Sequence, residues 1–487
     1  MTTTLVWFRN DLRVADHPAL HNALAQGGAV VPVYIHAPEE QAPWSAGAAS
    51  HWWLHQSLAA LSETLARLGS RLIIRRGDSA AELSSLIKQS GATEVHWNRC
   101  YEPAAAARDR RVAQHVSDAG IQCHQHHAGL LFEPGTLLNK TGEPYKVFTP
   151  FWRACQQRLS PPAPLSSPSG LPAVAGGLAS LALAELDLLP RKGWYAGLHD
   201  SWQPGEAGAH QRLRAFCQSA LALYPQWRDY PDRPGTSRLS PHLHFGEITP
   251  QQILWTLNDW AHRGETSGLT QATESLIREL GWREFAHHIL HHFPHTTDHP
   301  LNPRFDELPW RQNAQNLLHA WQLGRTGFPI VDAGMRQLWQ TGWMHNRVRM
   351  IVASFLVKNC RIDWREGARW FWDTLVDADL ANNSFNWQWV AGCGADAAPY
   401  FRIFNPVLQS KKFDPEGRYL RRWVPELAAL PKRWIHQPWT APRSVLDEAG
   451  IHIGADYPAP LLDLDQTRRD TLDIFRAHLG PHTAAEN

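Results

Sequence analysis

A segment rich in proline, serine and glycine lies between about residues 160 and 190 and divides the chain into two parts. It begins SPPAPLSSPSGLPAVAGG. Proline cannot donate a backbone hydrogen bond and glycine loses the most conformational freedom on folding, so such a run favours neither helices nor strands. We therefore predict a long surface connection between two domains, and we consider the fold on each side separately.

The part before this segment alternates between short β-rich runs and helical patterns. Strands are predicted at residues 5–8, 30–35, 71–74, 94–97 and 121–124. The clearest helix follows Ser50, a good N-cap residue, and runs through leucines at helical spacing to Gly69, which stands where a C′ glycine belongs. Strands separated by helices are typical of a parallel sheet, so we predict an α/β N-terminal domain with a parallel sheet over residues 1–132.

The part after the segment carries helix signals and no good alternating strand. Ser240-Pro241 and Thr249-Pro250 each pair an N-cap residue with a proline at the first helical position. Amphipathic or apolar helical spacing covers residues 274–292, 332–340, 344–358 and 366–375. We therefore predict an all-α domain over residues 196–480, which an interdomain connector over residues 133–195 joins to the first domain.

The charges of the chain nearly cancel, since its 487 residues include 47 Lys and Arg against 46 Asp and Glu. Contact with nucleic acid must then come from a local basic patch. Six scattered cysteines without a CxxC pair indicate reduced thiols rather than a disulfide framework or a cysteine-based metal site. Charged residues follow a very short apolar start, and no apolar run is long enough to span a membrane, so we expect a cytoplasmic protein without a signal peptide.

The most unusual stretch, residues 375–404, interleaves polar and large apolar side chains with neither a helical nor a strand period. It holds two acids, three carboxamides and two tryptophans: Asp377, Asp379, Asn382, Asn383, Asn386, Trp387 and Trp389. Buried polar groups each need a partner, so core segments rarely look like this. The stretch is either a polar loop beside a hydrophobic helix start or the wall of a site for a polar planar ligand.

The 24 tryptophans of the chain leave a similar choice. They form a tryptophan-rich helical core, or some of them serve in stacking or electron relay. Glycine-rich nucleotide signatures are absent, because the chain has neither GxGxxG nor GxxxxGK[ST]. Residues 236–241, TSRLSP, offer hydroxyls, a guanidinium and free N–H groups at a helix start, where anions bind well. An ordinary helix cap explains the same residues equally well.

Two helical segments carry candidate site residues on one face. Glu279, Trp282 and Arg283 share a face of the first segment, and Asn346 and Met350 share a face of the second, with Arg347 beside them. A surface salt bridge beside a core tryptophan is the alternative. Basic residues gather late in the chain, either as a phosphate-binding patch or as solvated charges: Arg228, Arg347, Arg402, Lys411, Lys412, Arg421 and Arg422.

A group of four histidines on the first segment does not indicate a metal site. His287, His288, His291 and His292 lack the HExxH arrangement, and no cysteine or carboxylate stands at ligand spacing. Ordinary exposed or half-buried histidines account for them. We therefore expect no metal site in the chain.

Several long segments resemble the photolyase/cryptochrome family, and the resemblance covers almost the full length. LVWFRNDLRVADHPAL stands near the start, and YKVFTPFWR spans residues 145–153. The most specific segments are GTSRLSPHLHFGEITP, ESLIRELGWREF, TGFPIVDAGMRQLWQTGWMHNRVRMIVASFLVK and DADLANNSFNWQWVAGCGADAAPYFRIFNP. The resemblance implies a helical domain that binds FAD and a DNA photolyase activity. In that activity, excited reduced FAD passes an electron to a flipped-out cyclobutane pyrimidine dimer, and the enzyme acts as a carbon–carbon lyase.

The resemblance also implies roles for particular residues. The flavin phosphate cradle matches Tyr224, Thr236, Ser237, Arg238, Leu239 and Ser240, and further flavin contacts match Asn346, Arg349, Asp377, Asp379 and Asn383. Arg349 matches an ion-pair partner of Asp377. An electron-relay chain matches Trp310, Trp364 and Trp387, which join Glu279 and Asn383 as residues with catalytic roles. Contacts with the flipped dimer and with DNA match Arg228, Glu279, Trp282, Arg283, Asn346, Arg347, Met350, Trp389 and Arg402.

Other functions of the same family remain as alternatives. A cryptochrome, a blue-light photoreceptor without repair, is disfavoured by the neutral amide of Asn383, where plant cryptochromes carry an acid, and by the lack of a long C-terminal extension. A photolyase for (6–4) lesions is disfavoured because Asn346 and Met350 occupy the neighbourhood of its histidine pair. A flavin-binding structural protein does not explain Glu279, Trp282 and Trp389 together.

The resemblance further implies a second, antenna chromophore, for which we rank methenyltetrahydrofolate first, deazaflavin second and none third. Some folate-binding photolyases carry Asn and Glu side chains where this chain has Ala104 and Ala105. Residues 47–58, GAASHWWLHQSL, instead resemble the bacterial branch closest to plant cryptochromes. The expected partner is DNA that contains pyrimidine dimers, with no membrane and no obligate protein partner. We expect a monomer that associates with the bacterial nucleoid while it acts.

Overall fold

The first part of the molecule alternates strands and helices. The computed structural model describes residues 2–160, 162–174, 176–190, 192–263, 267–400 and 402–479. The first elements are β1 (Thr3–Phe8), α1 (Pro18–Ala25), β2 (Ala29–His36), α2 (Ala48–Arg67), β3 (Ile73–Arg76), α3 (Ser79–Ser90), β4 (Glu94–Asn98), α4 (Pro103–Asp118) and β5 (Gln122–His126). All five predicted strands are found, and the third lies two residues further along the chain than predicted.

The five strands form one parallel sheet in the order β3-β2-β1-β4-β5. Helices α1 and α2 pack on one face through residues such as Leu20 and Trp52. Helices α3 and α4 pack on the other face through residues such as Leu83 and Val112. A parallel sheet covered on both faces needs apolar residues on both sides of its central strands, so β1 and β2 are continuous apolar runs. The predicted α/β domain is confirmed.

Helix α2 begins earlier than its sequence pattern predicted. Its N-cap is Gly47, and Asp373 Oδ1, from the helical part of the chain, accepts the N–H of Ala48 at 2.9 Å. Ser50 is buried within the first turn, so its prediction as the N-cap is wrong. A Cβ at position 47 would stand 2.4 Å from Asp373 Cα, and this close approach between the domains requires a glycine. Gly69 ends the helix with φ +89°, as predicted.

The connector between the two parts is more closely packed than its composition suggests. It contains α5 (Phe148–Arg158) and a 3₁₀ turn at Leu183–Leu186. Leu171 N–H donates to the Leu68 carbonyl at 2.7 Å, and Leu181 N–H donates to the Ile74 carbonyl at 3.0 Å. Leu171, Leu186 and two further leucines are buried against the α/β domain. Most described residues between 160 and 190 are exposed or half-buried, as predicted for a surface connection, but buried leucines between the prolines anchor the segment to the α/β domain.

The second part is helical over its described residues. Its helices are α6 (Ala196–Ser201), α7 (Glu206–Ser219), α8 (Tyr224–Trp227), α9 (Ser240–His244), α10 (Pro250–Arg263), α11 (Ser267–His292), α12 (Gln315–Gln322), α13 (Pro329–Thr341), α14 (Asn346–Ser354), α15 (Trp364–Thr374), α16 (Leu380–Ala391), α17 (Pro406–Phe413), α18 (Arg418–Trp423), α19 (Lys432–Ile435), α20 (Arg443–Glu448) and α21 (Leu464–Leu479). A π-helical turn at Phe355–Asn359 continues α14. No described helix is both long and apolar enough to cross a bilayer.

Two predicted helix starts have different outcomes. Thr249 caps α10, since its Oγ1 accepts the Gln252 N–H at 3.0 Å and Gln252 Oε1 accepts the Thr249 N–H at 2.9 Å. Ser240 is the first residue of α9 rather than its N-cap, which is Leu239. The hydroxyl of Ser240 is used elsewhere, in a contact with a carboxylate at the candidate site.

The aperiodic stretch over residues 375–404 contains α16, so of the two alternatives left open by the sequence the polar loop does not hold for residues 380–391. Helix α16 packs against α11, α14 and α15 and is buried on most of its surface, with Asn386 exposed. A helix enclosed by neighbours has no single apolar face, so it shows no amphipathic period. Its polar residues are candidates for hydrogen bonds within the helical domain.

Candidate active site

The loop before α9 concentrates positive charge in a partly buried position. The guanidinium carbon of Arg238 lies 4.2 and 5.0 Å from the ring centroids of Trp202 and Trp343. Burial, together with the charges of Arg212 and Arg422, lowers the pKa of Arg238 to about 10. Arg238 Nε is shielded from solvent and has no hydrogen-bond partner among the described residues. A partly desolvated group of cations of this kind favours an anionic ligand.

The residues beside Arg238 fit the phosphate groups of FAD. Thr236 and Ser237 precede Arg238 directly in the chain, so this loop offers two hydroxyls and backbone N–H groups together with the guanidinium. Tyr224 and Leu239 are buried, with 5% and 3% exposure, and belong to one apolar cluster. The residues predicted as a phosphate cradle are therefore brought to one place, with the positive charge that a pyrophosphate requires.

A hydrogen-bonded carboxylate joins three elements at this site. Asp377, between α15 and α16, accepts a hydrogen bond from Ser240 Oγ at 2.6 Å and lies 2.8 Å from Arg349 Nη2. Arg349 Nε also donates to the Met344 carbonyl at 2.8 Å. The ion pair between Arg349 and Asp377 that the family resemblance predicted is confirmed. The pair fixes α14 and the start of α16 against the α9 loop.

Asp379 caps α16, and its neighbours keep it ionised. Its Oδ1 accepts hydrogen bonds from the backbone and side-chain nitrogens of Asn382, both at 2.8 Å. Its Oδ2 lies 3.5 Å from His287 Nε2 and 3.7 Å from His244 Nδ1. Burial alone would raise the pKa of Asp379, but His287, His244 and the charge of Arg283 hold it far below its usual range. Both oxygens have protein partners, so a contact with the flavin ring stays a prediction.

Asn383 and Trp387 lie one turn apart on α16 and face α15. Asn383 Nδ2 donates to the Ala368 carbonyl at 3.0 Å. A Cβ on Gly367 would stand 2.1 Å from Trp387 Cη2, so the absence of a side chain at position 367 makes room for the indole. Trp364 lies one turn before Gly367 on α15, and both Trp364 and Trp387 are 2% exposed. The structure therefore brings two of the predicted relay tryptophans to one helix–helix interface.

Two further tryptophans, Trp310 and Trp321, belong to or pack against the same hydrophobic cluster. Trp310, the third predicted relay residue, is half-buried and packs against the same cluster, so it stands nearest to solvent. Trp321 is fully buried, and its ring centroid lies 6.3 Å from that of Trp387. Sequence reasoning missed Trp321, because a tryptophan on the apolar face of a helix is indistinguishable from ordinary core. It is a further oxidisable ring beside the predicted chain.

The dipeptide Arg228-Asp229 links the two helices that carry the candidate dimer-binding residues. Arg228 Nη2 lies 2.7 Å from Glu279 Oε1 on α11, and Arg347 Nη2 on α14 lies 2.8 Å from Asp229 Oδ1. Arg347 Nη1 also lies 3.7 Å from Met350 Sδ. We call these two salt bridges the ion-pair row. Sequence reasoning missed Asp229, since a single acid in a loop carries no pattern.

The aromatic and amide groups predicted for the dimer pocket are accessible to different extents. Asn346 is exposed at the start of α14, whereas Trp282, Met350 and Trp389 are half-buried. One face of Trp282 is covered by Phe148, with ring centroids 3.6 Å apart and planes 9° from parallel. A ligand can therefore reach only the other face and the edges of Trp282.

Arg283 is not brought into the ion-pair row, although it shares α11 with Glu279. Its Nη1 donates to the Gly129 carbonyl at 2.8 Å, and its side chain lines a cavity between the two domains. Helical spacing placed Arg283 on the face of Glu279, but the carbonyl of Gly129 in the other domain holds its guanidinium. Its predicted contact with DNA gains no support from this position.

A basic groove lies next to the ion-pair row. Arg347, Arg402 and Lys412 line it, together with Arg468 from α21, and Arg402 is exposed. Arg468 was missed because it stands in an amphipathic helix without any site motif. Arg421 is committed elsewhere, since it donates to three nearby backbone carbonyls. Two of the predicted phosphate-binding arginines thus share one surface.

The cavity between the domains lies on the side of Arg283 and Asp379. Tyr34, Trp44 and Ala105 line it from the α/β domain. Trp44 contacts Trp372 of α15 edge-on, with ring centroids 5.5 Å apart. A concave space with aromatic walls and a few polar groups can accept a second planar ligand.

Two family models match separate parts of the chain. Residues 4–169 match a model described as DNA photolyase, and residues 276–477 match one described as the FAD binding domain of DNA photolyase. The helical part is therefore an FAD-binding domain of this type.

Relatives in both branches of one family match almost the whole chain. A deoxyribodipyrimidine photo-lyase from Agrobacterium fabrum is 47% identical over 97% of each chain. Cryptochrome-1 from Arabidopsis thaliana is 39% identical over 96% of this chain and 69% of its own length. The crystal structure of a bacterial class III photolyase from Agrobacterium tumefaciens matches with a TM-score of 0.95 at 46% identity, covering 98% of each chain.

Proposed function

Because the chain belongs to the DNA photolyase and cryptochrome family, we propose that it uses light to split cyclobutane pyrimidine dimers in DNA. The observation that carries this proposal is the ion-pair row, in which Glu279 and Arg347 are held beside a basic groove. An enzyme that acts on an extruded base needs hydrogen-bonding groups in a pocket and cations along the adjoining backbone. The similarity to a deoxyribodipyrimidine photo-lyase over nearly the full length supports the same reaction.

The residues around Arg238 are proposed to bind FAD. Arg238 and the hydroxyls of Thr236 and Ser237 offer the charge and the donors that its pyrophosphate needs. The pair of Arg349 with Asp377 is proposed to border its ring system together with Asn383. When bound and reduced, FAD supplies on excitation the electron that opens the dimer, and it recovers that electron afterwards, so no second substrate is consumed.

The pocket residues are proposed to recognise what distinguishes a dimer from two stacked bases. A dimer has lost base aromaticity but keeps its Watson–Crick edges, so Glu279 and Asn346 can hydrogen-bond to it. The free face of Trp282 and the half-buried Trp389 can pack against the apolar cyclobutane. Damaged bases pair and stack poorly, which lowers the cost of extruding them. Selectivity for a dimer over intact bases then follows from the lower cost of extruding it as well as from its contacts with the pocket residues.

The basic groove is proposed to hold the DNA backbone beside the lesion. Arg347 and Arg402 line it, and Arg228 stands at its edge through the ion-pair row. Phosphate contacts of this kind supply affinity and orientation rather than sequence preference. We propose a monomer that acts on nucleoid DNA in the cytoplasm, since one chain carries both the pocket and the groove.

Photoreception without repair is a second candidate function, because a plant cryptochrome is 39% identical over 96% of this chain. Asn383 argues against it. Its amide is held by the Ala368 carbonyl at 3.0 Å and can hydrogen-bond without adding charge or supplying a readily lost proton. A buried aspartate there would have a raised pKa and could release a proton to its surroundings. The neutral amide suits a site that must keep a reduced, anionic cofactor ready for light.

The interdomain cavity is proposed to hold the antenna chromophore, with a folate preferred to a deazaflavin. Trp44 offers an aromatic wall there. Ala105 lines the same cavity but has no polar side chain, so a pteridine would take its hydrogen bonds from other residues. A near-ultraviolet absorption band beyond that of the flavin, lost on Trp44→Ala, would support this assignment.

The proposed function is tested with an oligonucleotide that carries one thymine dimer. Chemically reduced protein should restore the thymines under blue light and leave them dimerised in the dark. Glu279→Gln removes a charged hydrogen-bond partner, so the repair rate and the affinity for the dimer should each fall at least about tenfold. Glu274→Gln is the matched control, since Glu274 is an exposed acid on the same helix. Light-independent repair, or full repair by the Glu279→Gln variant, would contradict the proposal.

A further inference from the structure

The outer edge of the sheet presents a cluster of imidazoles and one carboxylate, far in sequence from the residues proposed for repair. Strand alternation places Glu94 and His96 on the same face of β4. The parallel register of β4 and β5 sets His96 opposite His124 and Asn98 opposite His126. Three histidines and a glutamate therefore meet on one face of two neighbouring strands.

Three of these side chains bring their ligand atoms close together. Glu94 Oε2 lies 3.1 Å from His96 Nε2 and 3.8 Å from His124 Nε2. The three atoms all lie within 4.8 Å of one another. Zinc binds histidine nitrogens and carboxylate oxygens at about 2.0–2.2 Å, so neighbouring ligand atoms of a tetrahedral site stand about 3.4 Å apart. The distances of 3.1 and 3.8 Å from Glu94 Oε2 lie on either side of that value.

The surroundings of His96 suit a metal ligand. His126 Nε2 lies 3.2 Å from His96 Nδ1, which orients the ring and directs its Nε2 toward Glu94 and His124.

His124 supplies a ring nitrogen that is available to bind a metal, and its exposed side gives a metal ion access from solvent. Its Nε2 is shielded from solvent and makes no hydrogen bond among the described residues. The side chain as a whole is 38% exposed, whereas that of His96 is 1% exposed. A metal ion can therefore reach the cluster from the side of His124 without opening the sheet.

We propose that Glu94, His96 and His124 bind one divalent transition-metal ion of the zinc type, with His126 positioning His96. Two imidazoles and one carboxylate form a ligand set that suits zinc, and water can complete a tetrahedron. The ion joins the edge strand β5 to β4, so its effect is on the stability of the α/β domain. This site contrasts with the absence of metal sites that we expected from the sequence, because its ligands come from two strands and match no local motif.

The proposal is tested by titrating zinc chloride into full-length protein from which metals have been removed by a chelator. Calorimetry should show one saturable site. Cobalt(II) at that site should give the visible absorption of tetrahedral coordination. Glu94→Gln and His124→Ala should each weaken zinc binding at least about tenfold, and His126→Ala should weaken it about 10- to 100-fold.

Control variants separate this site from other histidines, of which the chain has 27 in all. His199→Ala removes an imidazole that is 77% exposed and should leave zinc affinity unchanged. Zinc should raise the Tm of the parent protein and of His199→Ala, but not that of His124→Ala. His124 is partly exposed, so its variant is expected to fold, and an unchanged Tm without zinc verifies this. Equal zinc affinity in the parent and His124→Ala, or no saturable binding by the parent, would overturn the proposal.

Discussion

Single side chains at the candidate site are positioned by partners that are distant in sequence. Asp377 is held by Ser240 and Arg349, and Glu279 is held by Arg228. The family resemblance predicted the contact of Arg349 with Asp377. Neither periodicity nor spacing predicted the salt bridge of Arg347 with Asp229, because nothing local in the sequence marks Asp229. The predicted relay tryptophans show the same limit, since they were named from the family resemblance and nothing local in the sequence distinguishes Trp387 from other buried indoles.

Replacement of a relay tryptophan should slow light-driven reduction of the bound flavin. Phe at position 310, 364 or 387 keeps apolar bulk but removes the easily oxidised indole. Absorbance during blue illumination should show reduction slowed at least about tenfold, whereas repair by chemically reduced protein should persist. Trp255→Phe is the matched control, because Trp255 is 45% exposed on α10, outside the aromatic cluster of Trp387.

Unchanged photoreduction in all three variants would contradict the assigned chain. Trp321→Phe then identifies the alternative route, since its ring centroid lies 6.3 Å from that of Trp387. Slow reduction in Trp321→Phe alone would assign the relay to a residue that the family resemblance did not indicate.

Helices and strands could be predicted from the sequence where the residues on their buried faces form a regular apolar pattern. The strands of the parallel sheet are apolar runs, and α13 and α15 have clear apolar faces, so all were found near their predicted positions. Helix α16 was not predictable, because neighbours on several sides bury its polar residues as well as its apolar ones. The start of α2 was misplaced for a related reason, since a carboxylate from the other domain caps it.

Gly367→Ala tests the close contact between α15 and α16. Alanine normally stabilises a helix by up to about 1 kcal/mol relative to glycine. Here the new Cβ would stand 2.1 Å from Trp387 Cη2, so we expect a net loss of about 1–3 kcal/mol in unfolding free energy and slower photoreduction. Gly193→Ala is the matched control, because a Cβ there meets no atom of the described residues within 4 Å. Greater stability in Gly367→Ala than in the parent would show that the two helices are not tightly packed.

The turn between α17 and α18 should give stability a specific pH dependence. Asp414 is fully buried, its oxygens accept the N–H groups of Tyr419 and Leu420, and burial raises its pKa to about 6. Because the folded-state pKa is raised above the unfolded value of about 3.9, the contribution of Asp414 to the free energy of unfolding is greatest below pH ~4 and is lost as pH rises to about 6. Asp414→Asn does not titrate, so it should gain up to about 3 kcal/mol relative to the parent between pH ~4 and ~7.

Chemical denaturation across this pH range measures the difference between the two proteins. Asp473→Asn, at a side chain that is 70% exposed, should show no such change relative to the parent. If the difference in unfolding free energy between the parent and Asp414→Asn does not change with pH, burial does not hold the proton on Asp414.

On the scale of the whole molecule, the two domains are joined by several independent contacts. Asp373 caps α2, Arg283 donates to the Gly129 carbonyl, and connector leucines pack against the sheet. The sequence predicted the two fold classes and the site of division. It did not predict these contacts, because each pairs residues that are distant in the chain and ordinary in type. The domain limits at residues 132 and 195 stay predictions.

The basic groove predicts a salt-dependent affinity for DNA. Each phosphate contact contributes about −0.9 to the slope of log affinity against log salt concentration. Arg347→Ala and Arg402→Ala should each flatten that slope by about one counterion for dimer-containing duplex. Arg443→Ala is the control, since its side chain is 87% exposed and does not line the groove. If the parent and all variants have equal slopes, the DNA binds at a different surface of the protein.

We propose that this chain repairs pyrimidine dimers and is not a photoreceptor alone. The most direct measurement follows the recovery of thymine absorbance in a dimer-containing oligonucleotide during blue illumination with catalytic amounts of reduced protein. We predict many turnovers for each protein molecule, none in the dark, and a loss of turnover in Glu279→Gln with the flavin still bound. Normal photoreduction of the flavin without any recovery of thymine would contradict the claim and identify the chain as a photoreceptor of the same family.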